Sequence, residues 1–409
     1  MVASQFGTAW EEFLNFDRLR ASRLDRLEKA MKRDGLDAVV VFRHDNIRYL
    51  TGYRPLMWET GYVTRNAAIY PRGSRPVILA HAGDLDRAKT GMPWMREGEL
   101  LGLGSMEDPG IARTIVNGTF RELVQAVGAS HGRIGLDGTT FFTTTFLREA
   151  LPEADWTDAN PTMRRAREVK SEDEVRLISV AAEIAEGGLR AALEHVDSDG
   201  VTDQEIAAEG VRAIFRLGAE YLPSNPIVAS GTYAETYYPL AAQRFVTPGF
   251  IVLDFSAMHD GYCARIARTA FIGQPSPEQQ RLYQTVHRAL QRGIEACQAR
   301  TPASSLASLM GGFLSEEGLD GYAYGRGFGV GLSLRESPFV REDSSDSLVP
   351  GMAVALEVGA HVPGRGGVRL CDTVVVTEAG TRLLTRLAFD EKLLGGIRRE
   401  ALWRDGVKR

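Results

Sequence analysis

The sequence predicts two domains, an α/β domain followed by an α+β domain, and three observations support this division. Strand-like and helix-like segments alternate between residues 36 and 150, as they do where helices cover a sheet. A long amphipathic helix pattern follows Asn160-Pro161, where the boundary is expected. Further on, β-rich segments pair across turns at 251–273 and 352–380. The predicted domains are therefore residues 1–162 and 163–409.

The first predicted domain begins with a helix over residues 9–34, where an apolar stripe alternates with charged side chains and Gly35 ends the pattern. A buried strand is predicted over 36–42, and two more strands flank the turn at 72–75. The remaining predicted elements of this domain are a helix near 110–128, a strand at 133–137 and a helix at 143–150.

The second predicted domain is organised around a β-hairpin. An apolar run ends at Asp254, Asp260-Gly261 supplies a turn, and residues 262–271 return as a second strand. Before it, Ser171 and Glu174 have the spacing of a capping box, which predicts the start of a long helix. The other predicted helices cover about 203–217, 277–299 and 304–317.

The composition narrows the class of protein. The chain has 409 residues and a formal net charge of −5, which gives no electrostatic reason to expect nucleic acid or an anionic membrane as a partner. It has no apolar run of about 18 residues, and its first residues lack the pattern of a signal peptide. Three cysteines without a CxxC pair favour a reducing compartment. A cytoplasmic protein without nucleic-acid or membrane partners is expected.

The hairpin resembles the first metal-binding hairpin of the creatinase/prolidase/methionine aminopeptidase superfamily, which has the pita-bread fold. The residues that carry the resemblance are Asp254, Gly261, Tyr262, Arg268 and Thr269. The phrase NIRYLTG at 46–52 resembles the N-terminal domain of creatinases and prolidases. The resemblance covers nearly the whole chain, and it implies a pita-bread second domain and a homodimer.

The resemblance also implies a site with five metal ligands, namely Asp, Asp, His, Glu and Glu. This chain keeps two of them, Asp254 and Glu357. The other three positions are occupied by Arg265, Phe328 and Cys371. Because Arg and Phe cannot coordinate a cation, the sequence predicts that the chain binds no metal and needs no cofactor.

On the substrate side, the resemblance places Tyr237 and Arg335 where the peptidases have histidines. Creatinase, a relative without the metal set, holds a carboxylate with two arginines, and these correspond to Arg335 and to Arg65 of the neighbouring subunit. Paired guanidinium groups suit bidentate carboxylate binding. In this hypothesis Glu357 and Asp254 exchange protons, while Arg265 and Tyr237 stabilise charge.

Several further residues are candidates for the same site. Cys371 is either a nucleophile activated by Arg369 or Arg265, or a small buried filler. The ionic residues Arg265, Asp254 and Glu357 form either an active centre or an inert buried network. The remaining candidates for substrate contacts are Tyr238, Phe328, Glu336, His361 and Arg369.

The resulting functional prediction is a metal-independent, creatinase-like hydrolase. Its substrate would be a small carboxylate with a C–N bond, such as a guanidino, amidine, ureido or N-acyl amino acid. One alternative is a lyase, decarboxylase or cyclase that uses the same acid/base groups. Another is a non-catalytic scaffold with a peptidase-like fold. An Xaa-Pro metallopeptidase ranks last, because only two of the five ligands are present.

Overall fold

The structure, a computed structural model, describes residues 14–55 and 65–395. The described residues divide between Ser171 and Glu172 into two compact units. The domain limits that we drew from the sequence, 1–162 and 163–409, stay a prediction. Among the helices of the described ranges, none combines the length and the apolar character that a membrane crossing requires.

The first unit is an α/β domain, as predicted. Its helices are α1 (Phe16–Asp34), α2 (His44–Thr51), α3 (Leu85–Gly91), α4 (Pro109–Ile115), α5 (Arg121–Ala126), α6 (Phe141–Ala150) and α7 (Asn160–Glu168). Its strands are β1 (Ala38–Val41), β2 (Ala67–Pro71), β3 (Val77–His81), β4 (Leu100–Leu103), β5 (Arg133–Leu136) and β6 (Asp155–Asp158). They form one mixed sheet in the order β4-β3-β2-β1-β5-β6.

The core of this unit lies where the sheet meets the helices. Val40 and Ile69 are fully buried and belong to one apolar cluster with Val116 and Phe120. The helix predicted near 110–128 is divided into α4 and α5 by a π-helical turn over Val116–Phe120. Because this turn presents Val116 and Phe120 to the core, the irregular segment is held by apolar burial.

The second unit combines helices with one antiparallel sheet. Its helices are α8 (Glu172–Leu193), α9 (Asp203–Arg216), α10 (Pro277–Ala296), α11 (Ala303–Glu316) and α12 (Glu391–Leu394). Its strands are β7 (Ile227–Ser230), β8 (Gly249–His259), β9 (Tyr262–Ile272), β10 (Ala323–Gly329), β11 (Glu336–Val340), β12 (Ala353–Val362), β13 (Gly366–Thr377) and β14 (Gly380–Leu383). The sheet order is β11-β10-β12-β13-β9-β8-β7, and β14 pairs with β13.

The long helix pattern after Asn160 is divided into α7 and α8, and α8 begins directly after Ser171, as the capping pattern predicted. The glycine-rich segment that follows α11 is not a loop but strand β10, which pairs with β11 and β12. A side chain at Gly329 would lie 2.2 Å from the carbonyl oxygen of Ser337, so this position of β10 accepts only glycine.

Two glycines bring α8 and α9 into backbone contact above the hairpin. A Cβ atom at Gly188 would lie 2.4 Å from Cγ1 of Ile214 and 3.0 Å from the carbonyl oxygen of Gly210. A Cβ atom at Gly210 would lie 2.4 Å from the ring of Phe255 on β8. Because side chains alternate along a strand, Asp254 points to the face of β8 opposite the one that packs on these helices.

We expect Gly188→Ala to lower the free energy of unfolding by about 2 kcal/mol or more, because the added methyl group overpacks the α8–α9 contact. The matched control is Gly312→Ala on α11, where a Cβ atom would have no neighbour within 4 Å. There the better helix propensity of alanine should raise the stability by about 0.5–1 kcal/mol. Urea unfolding measures both variants, and a stabilised Gly188→Ala protein would contradict the close helix contact.

Candidate active site

A row of directly opposed residues crosses five strands of the second sheet and positions the candidate site. Asp254 on β8 lies opposite Ala267 on β9, and Ala267 lies opposite Cys371 on β13. Cys371 in turn lies opposite Glu357 on β12, which lies opposite Arg326 on β10. Directly opposed residues share one face of a sheet, so all five side chains point to the same side.

Three more residues lie on this face, because side chains two positions apart on a strand point to the same side. Arg265 precedes Ala267 by two positions, and Arg369 precedes Cys371 by two. Phe328 follows Arg326 by two positions. The five positions that correspond to metal ligands in the resemblance therefore share one face of one sheet. These positions are Asp254, Arg265, Phe328, Glu357 and Cys371.

Arg265 joins the two acidic residues of this face. Its Nε donates to Oδ1 of Asp254 at 2.8 Å and its Nη2 donates to Oδ2 of the same carboxylate. Its Nη1 forms an ion pair with Oε2 of Glu357. The side chains of Arg265 and Asp254 are 4% exposed and that of Glu357 is fully buried. The guanidinium group therefore balances both carboxylates inside the protein.

Two more guanidinium groups reach the same carboxylates. Nη1 of Arg369 lies 3.3 Å from Oδ2 of Asp254, and Nη2 of Arg326 donates to Oε1 of Glu357 at 2.6 Å. Burial by itself raises the pKa of Glu357, but Arg265, Arg326 and Arg369 outweigh it and hold that pKa well below its usual range. The Glu357 carboxylate is therefore ionised at neutral pH.

A tyrosine hydroxyl joins two arginines at the exposed side of this cluster. Oη of Tyr238 accepts hydrogen bonds from Nη2 of Arg326 at 2.9 Å and from Nη2 of Arg335 at 2.8 Å. The guanidinium group of Arg335 also lies 4.7 Å from the ring centre of Phe328. No described carboxylate forms an ion pair with Arg335. These two arginines thus converge on a single oxygen atom.

An aromatic cluster borders the arginines. The ring of Tyr237 lies 4.8 Å from that of Tyr324 and 5.9 Å from that of His361, measured between centroids. Arg326 lies 4.6 Å from the rings of both Tyr237 and Tyr324. Nδ1 of His361 lies 3.1 Å from the carbonyl oxygen of Ala234, and burial lowers the pKa of this histidine. The imidazole is therefore neutral at pH 7.

Comparison with known proteins assigns the family. Residues 23–169 match the Creatinase/Prolidase N-terminal domain, and residues 176–378 match Metallopeptidase family M24. The chain belongs to the creatinase/prolidase superfamily. Its two matches follow one another along the chain, with the M24 match over the sheet that carries the candidate site.

The relatives of this chain include peptidases that are named as Xaa-Pro dipeptidases. The Xaa-Pro dipeptidase of Pyrococcus furiosus is 26% identical over 89% of this chain and 97% of its own length. A solved Xaa-Pro dipeptidase from Bacillus anthracis has a TM-score of 0.77 and 24% identity, and the similarity covers 91% of this chain and 99% of that one. The prolidase structure from Pyrococcus furiosus has a TM-score of 0.73 at 25% identity, over 88% and 99%. These structures confirm the pita-bread fold of the second unit.

The family assignment corrects the function that we inferred from the sequence. We expected a metal-independent, creatinase-like hydrolase and ranked the Xaa-Pro peptidases last, but the matched family is one of metallopeptidases and the named relatives are Xaa-Pro dipeptidases. The expectation was wrong because it gave a few ligand positions more weight than the similarity of the whole chain. The coarser assignment, a hydrolase of peptidase family M24, is the supported one.

The residues of this site nevertheless do not fit the metal ions that the family implies. Of the five positions, only Asp254 and Glu357 offer charged oxygen ligands, and Arg265 contacts both carboxylates. Phe328 has no donor atom. Within residues 14–55 and 65–395, no group of three or more His, Cys, Asp or Glu residues is placed to hold a metal ion. The fold is therefore that of the family, but the side chains at these positions do not form a metal-binding site.

The structure brings most of the candidate residues together, and their roles stay predictions. Cys371 is fully buried, and burial raises the pKa of its thiol, which disfavours the thiolate that a nucleophile needs. Glu336 begins β11, next to Arg335. Arg65 belongs to the first unit, where its Nε donates to Glu107 at 3.1 Å.

Sequence reasoning missed two residues of the site, Arg326 and Tyr324. Both lie on β10, from which we had named only Phe328 as a candidate site residue. Arg326 precedes Phe328 by two positions, so the strand period would have placed both on one face. Tyr324 precedes Arg326 by the same step. The two-residue period of a strand, applied to positions 324, 326 and 328, could have identified both residues.

We expect Arg265→Met to lower the free energy of unfolding at pH 7 by about 3 kcal/mol or more, because it leaves Asp254 and Glu357 buried with less compensating charge. The lowered pKa of Glu357 adds stability that is present above its usual pKa and lost as the pH falls through the folded value. In the variant, the unbalanced buried carboxylates take up protons more readily, so the difference between wild type and variant should shrink from pH 7 towards pH 4.

Urea unfolding at pH 4, 5.5 and 7 tests this expectation. The matched control is Arg288→Met, which removes an exposed pair with Glu317 at 3.5 Å and should change the stability by about 0.5 kcal/mol or less at each pH. A loss for Arg265→Met that equals the loss of the control would show that the buried pair contributes no more than a surface contact.

Proposed function

We propose that this chain acts on short peptides with a free carboxyl terminus, of the Xaa-Pro class for which its relatives are named, and that Arg326 and Arg335 bind the terminal carboxylate. The observation that carries the proposal is the pair of guanidinium groups on Oη of Tyr238, at 2.9 and 2.8 Å. Two guanidinium groups that share one oxygen acceptor are already oriented for the two oxygens of a carboxylate.

The charge of the cluster supports an anionic ligand. Three guanidinium groups, those of Arg265, Arg326 and Arg369, contact the two carboxylates of Asp254 and Glu357, and Arg335 adds a fourth positive charge beside Tyr238. This excess of positive charge attracts an anion, and the exposed Arg335 is the group that can reach it without breaking an ion pair. Tyr238 is 47% exposed, so the ligand can displace its hydroxyl group from the two arginines.

The surface next to the arginines suits the rest of such a peptide. Tyr237, Tyr324 and His361 present aromatic rings, and Tyr237 is 37% exposed. A neutral His361 adds no charge that would repel an apolar ring. A pyrrolidine ring beside the bound carboxylate would bury apolar area on these faces, which favours binding. The dipeptidases named among the relatives make peptides of this kind the first ligands to test.

Two further features belong to the proposal as predictions. A homodimer is expected from the resemblance, with Arg65 of the partner subunit near the carboxylate. A cytoplasmic location is expected from the composition and the cysteines. In both cases the support comes from the sequence. Gel filtration measures the oligomeric state, and cell fractionation measures the location.

We expect Arg335→Ala to weaken binding of a Leu-Pro dipeptide by about 30-fold, close to 2 kcal/mol, because one of two guanidinium groups on the carboxylate is lost. The C-terminal amide of the same dipeptide should bind wild type about as weakly as the free acid binds the variant. Isothermal titration measures the affinities, and release of free proline in the same samples measures cleavage.

The control is Arg341→Ala, because Arg341 is exposed and pairs with Asp343 at 2.9 Å, away from Tyr238. Its affinity for the dipeptide should equal that of wild type. Equal affinity of the free acid for wild type and Arg335→Ala would refute the carboxylate contact, as would equal affinity of the free acid and the amide for wild type.

A further inference from the structure

The second unit contains a buried charge arrangement that the family assignment does not explain. A metallopeptidase match implies carboxylates that hold metal ions, and two carboxylates, Asp254 and Glu357, face each other across this sheet. Between them stands Arg265, a residue of the same sheet face. The positive charge between the two carboxylates is therefore a side chain of the protein itself.

We propose that the guanidinium group of Arg265 is the resident cation of Asp254 and Glu357 and that it excludes a divalent metal ion from this pair. Its Nε and Nη2 donate to the two oxygens of Asp254, and its Nη1 forms an ion pair with Oε2 of Glu357. Three of its nitrogens therefore face a carboxylate, and one side chain bridges two acidic residues on different strands.

Every oxygen of the pair already contacts a guanidinium nitrogen. Oδ1 of Asp254 accepts from Arg265, and Oδ2 contacts both Arg265 and Arg369. Oε1 of Glu357 accepts from Arg326, and Oε2 pairs with Arg265. A metal ion would have to displace at least one of these charge-assisted contacts in a site that water does not reach, which costs several kcal/mol.

The surroundings of the pair oppose a metal ion as well. The three guanidinium groups that touch the two carboxylates leave an excess of positive charge, which repels a divalent cation. Phe328 stacks over Arg265 with 5.6 Å between the guanidinium carbon and the ring centroid, and so closes that side with apolar surface.

The first test uses the native chain and Mn²⁺ alone, an ion that prefers oxygen ligands. After treatment with a chelator, isothermal titration should show no saturable site for Mn²⁺ at concentrations below about 1 mM. Saturable binding of one Mn²⁺ per chain that Asp254→Asn abolishes would overturn the proposal. Because no peptide is present, this result is independent of whether the chain binds dipeptides.

The second test replaces the resident cation. Arg265→Asp adds a third carboxylate to the same sheet face, and we expect it to bind one Mn²⁺ per chain with a dissociation constant of about 0.1 mM or lower, with a rise in melting temperature on Mn²⁺ addition. The control Arg288→Asp, on the exposed side of α10, should show neither effect. A folded Arg265→Asp protein that binds no Mn²⁺ would overturn the proposal.

A further variant is available in case Arg265→Asp does not fold. Arg265→Gln removes the positive charge without adding a third carboxylate, and it frees the oxygens of Asp254 and Glu357 that Arg265 occupies. We expect its Mn²⁺ affinity to lie above that of wild type, and its melting temperature to rise with Mn²⁺. An affinity equal to that of wild type would show that Arg265 is not the group that excludes the metal ion.

Discussion

The second unit depends on the balance of charge between Arg265 and the carboxylates of Asp254 and Glu357. These three side chains are almost completely buried, so each would be costly without the others. The sheet makes the balance possible, because opposed positions on β8, β9, β13 and β12 bring residues distant in sequence to one face. Arg326 and Arg369 then connect this buried charge to the exposed Arg335 and Tyr238.

The site has a buried part and an exposed part that differ in chemistry. In the buried part, every carboxylate oxygen contacts a guanidinium group. In the exposed part, Arg335 contacts only a tyrosine hydroxyl and aromatic rings among the described residues. A ligand can therefore exchange with a hydroxyl at low cost in the exposed part, whereas it would have to break ion pairs in the buried part.

Similarity along the whole chain and the chemistry of a few positions gave different answers about this protein. The family match and the named dipeptidases corrected the substrate class that we had drawn from individual residues. The same positions still determine what the site can bind, because a family assignment does not supply ligands that the side chains lack. Arg265 and Phe328 show this, since the chain matches a metallopeptidase family and neither of these side chains can coordinate a cation.

The sequence by itself determined the two-domain organisation, the hairpin of β8 and β9 and most helices, because their periodicity and turn residues are local signals. It also identified Asp254, Arg265, Phe328, Glu357 and Cys371 as one set through the resemblance. Only the tertiary structure decided that Arg265 bridges both carboxylates, that Arg326 and Tyr324 belong to the site, and that Tyr238 joins two arginines. These facts depend on strand register and side-chain direction between residues 31 to 97 positions apart, which local patterns do not encode.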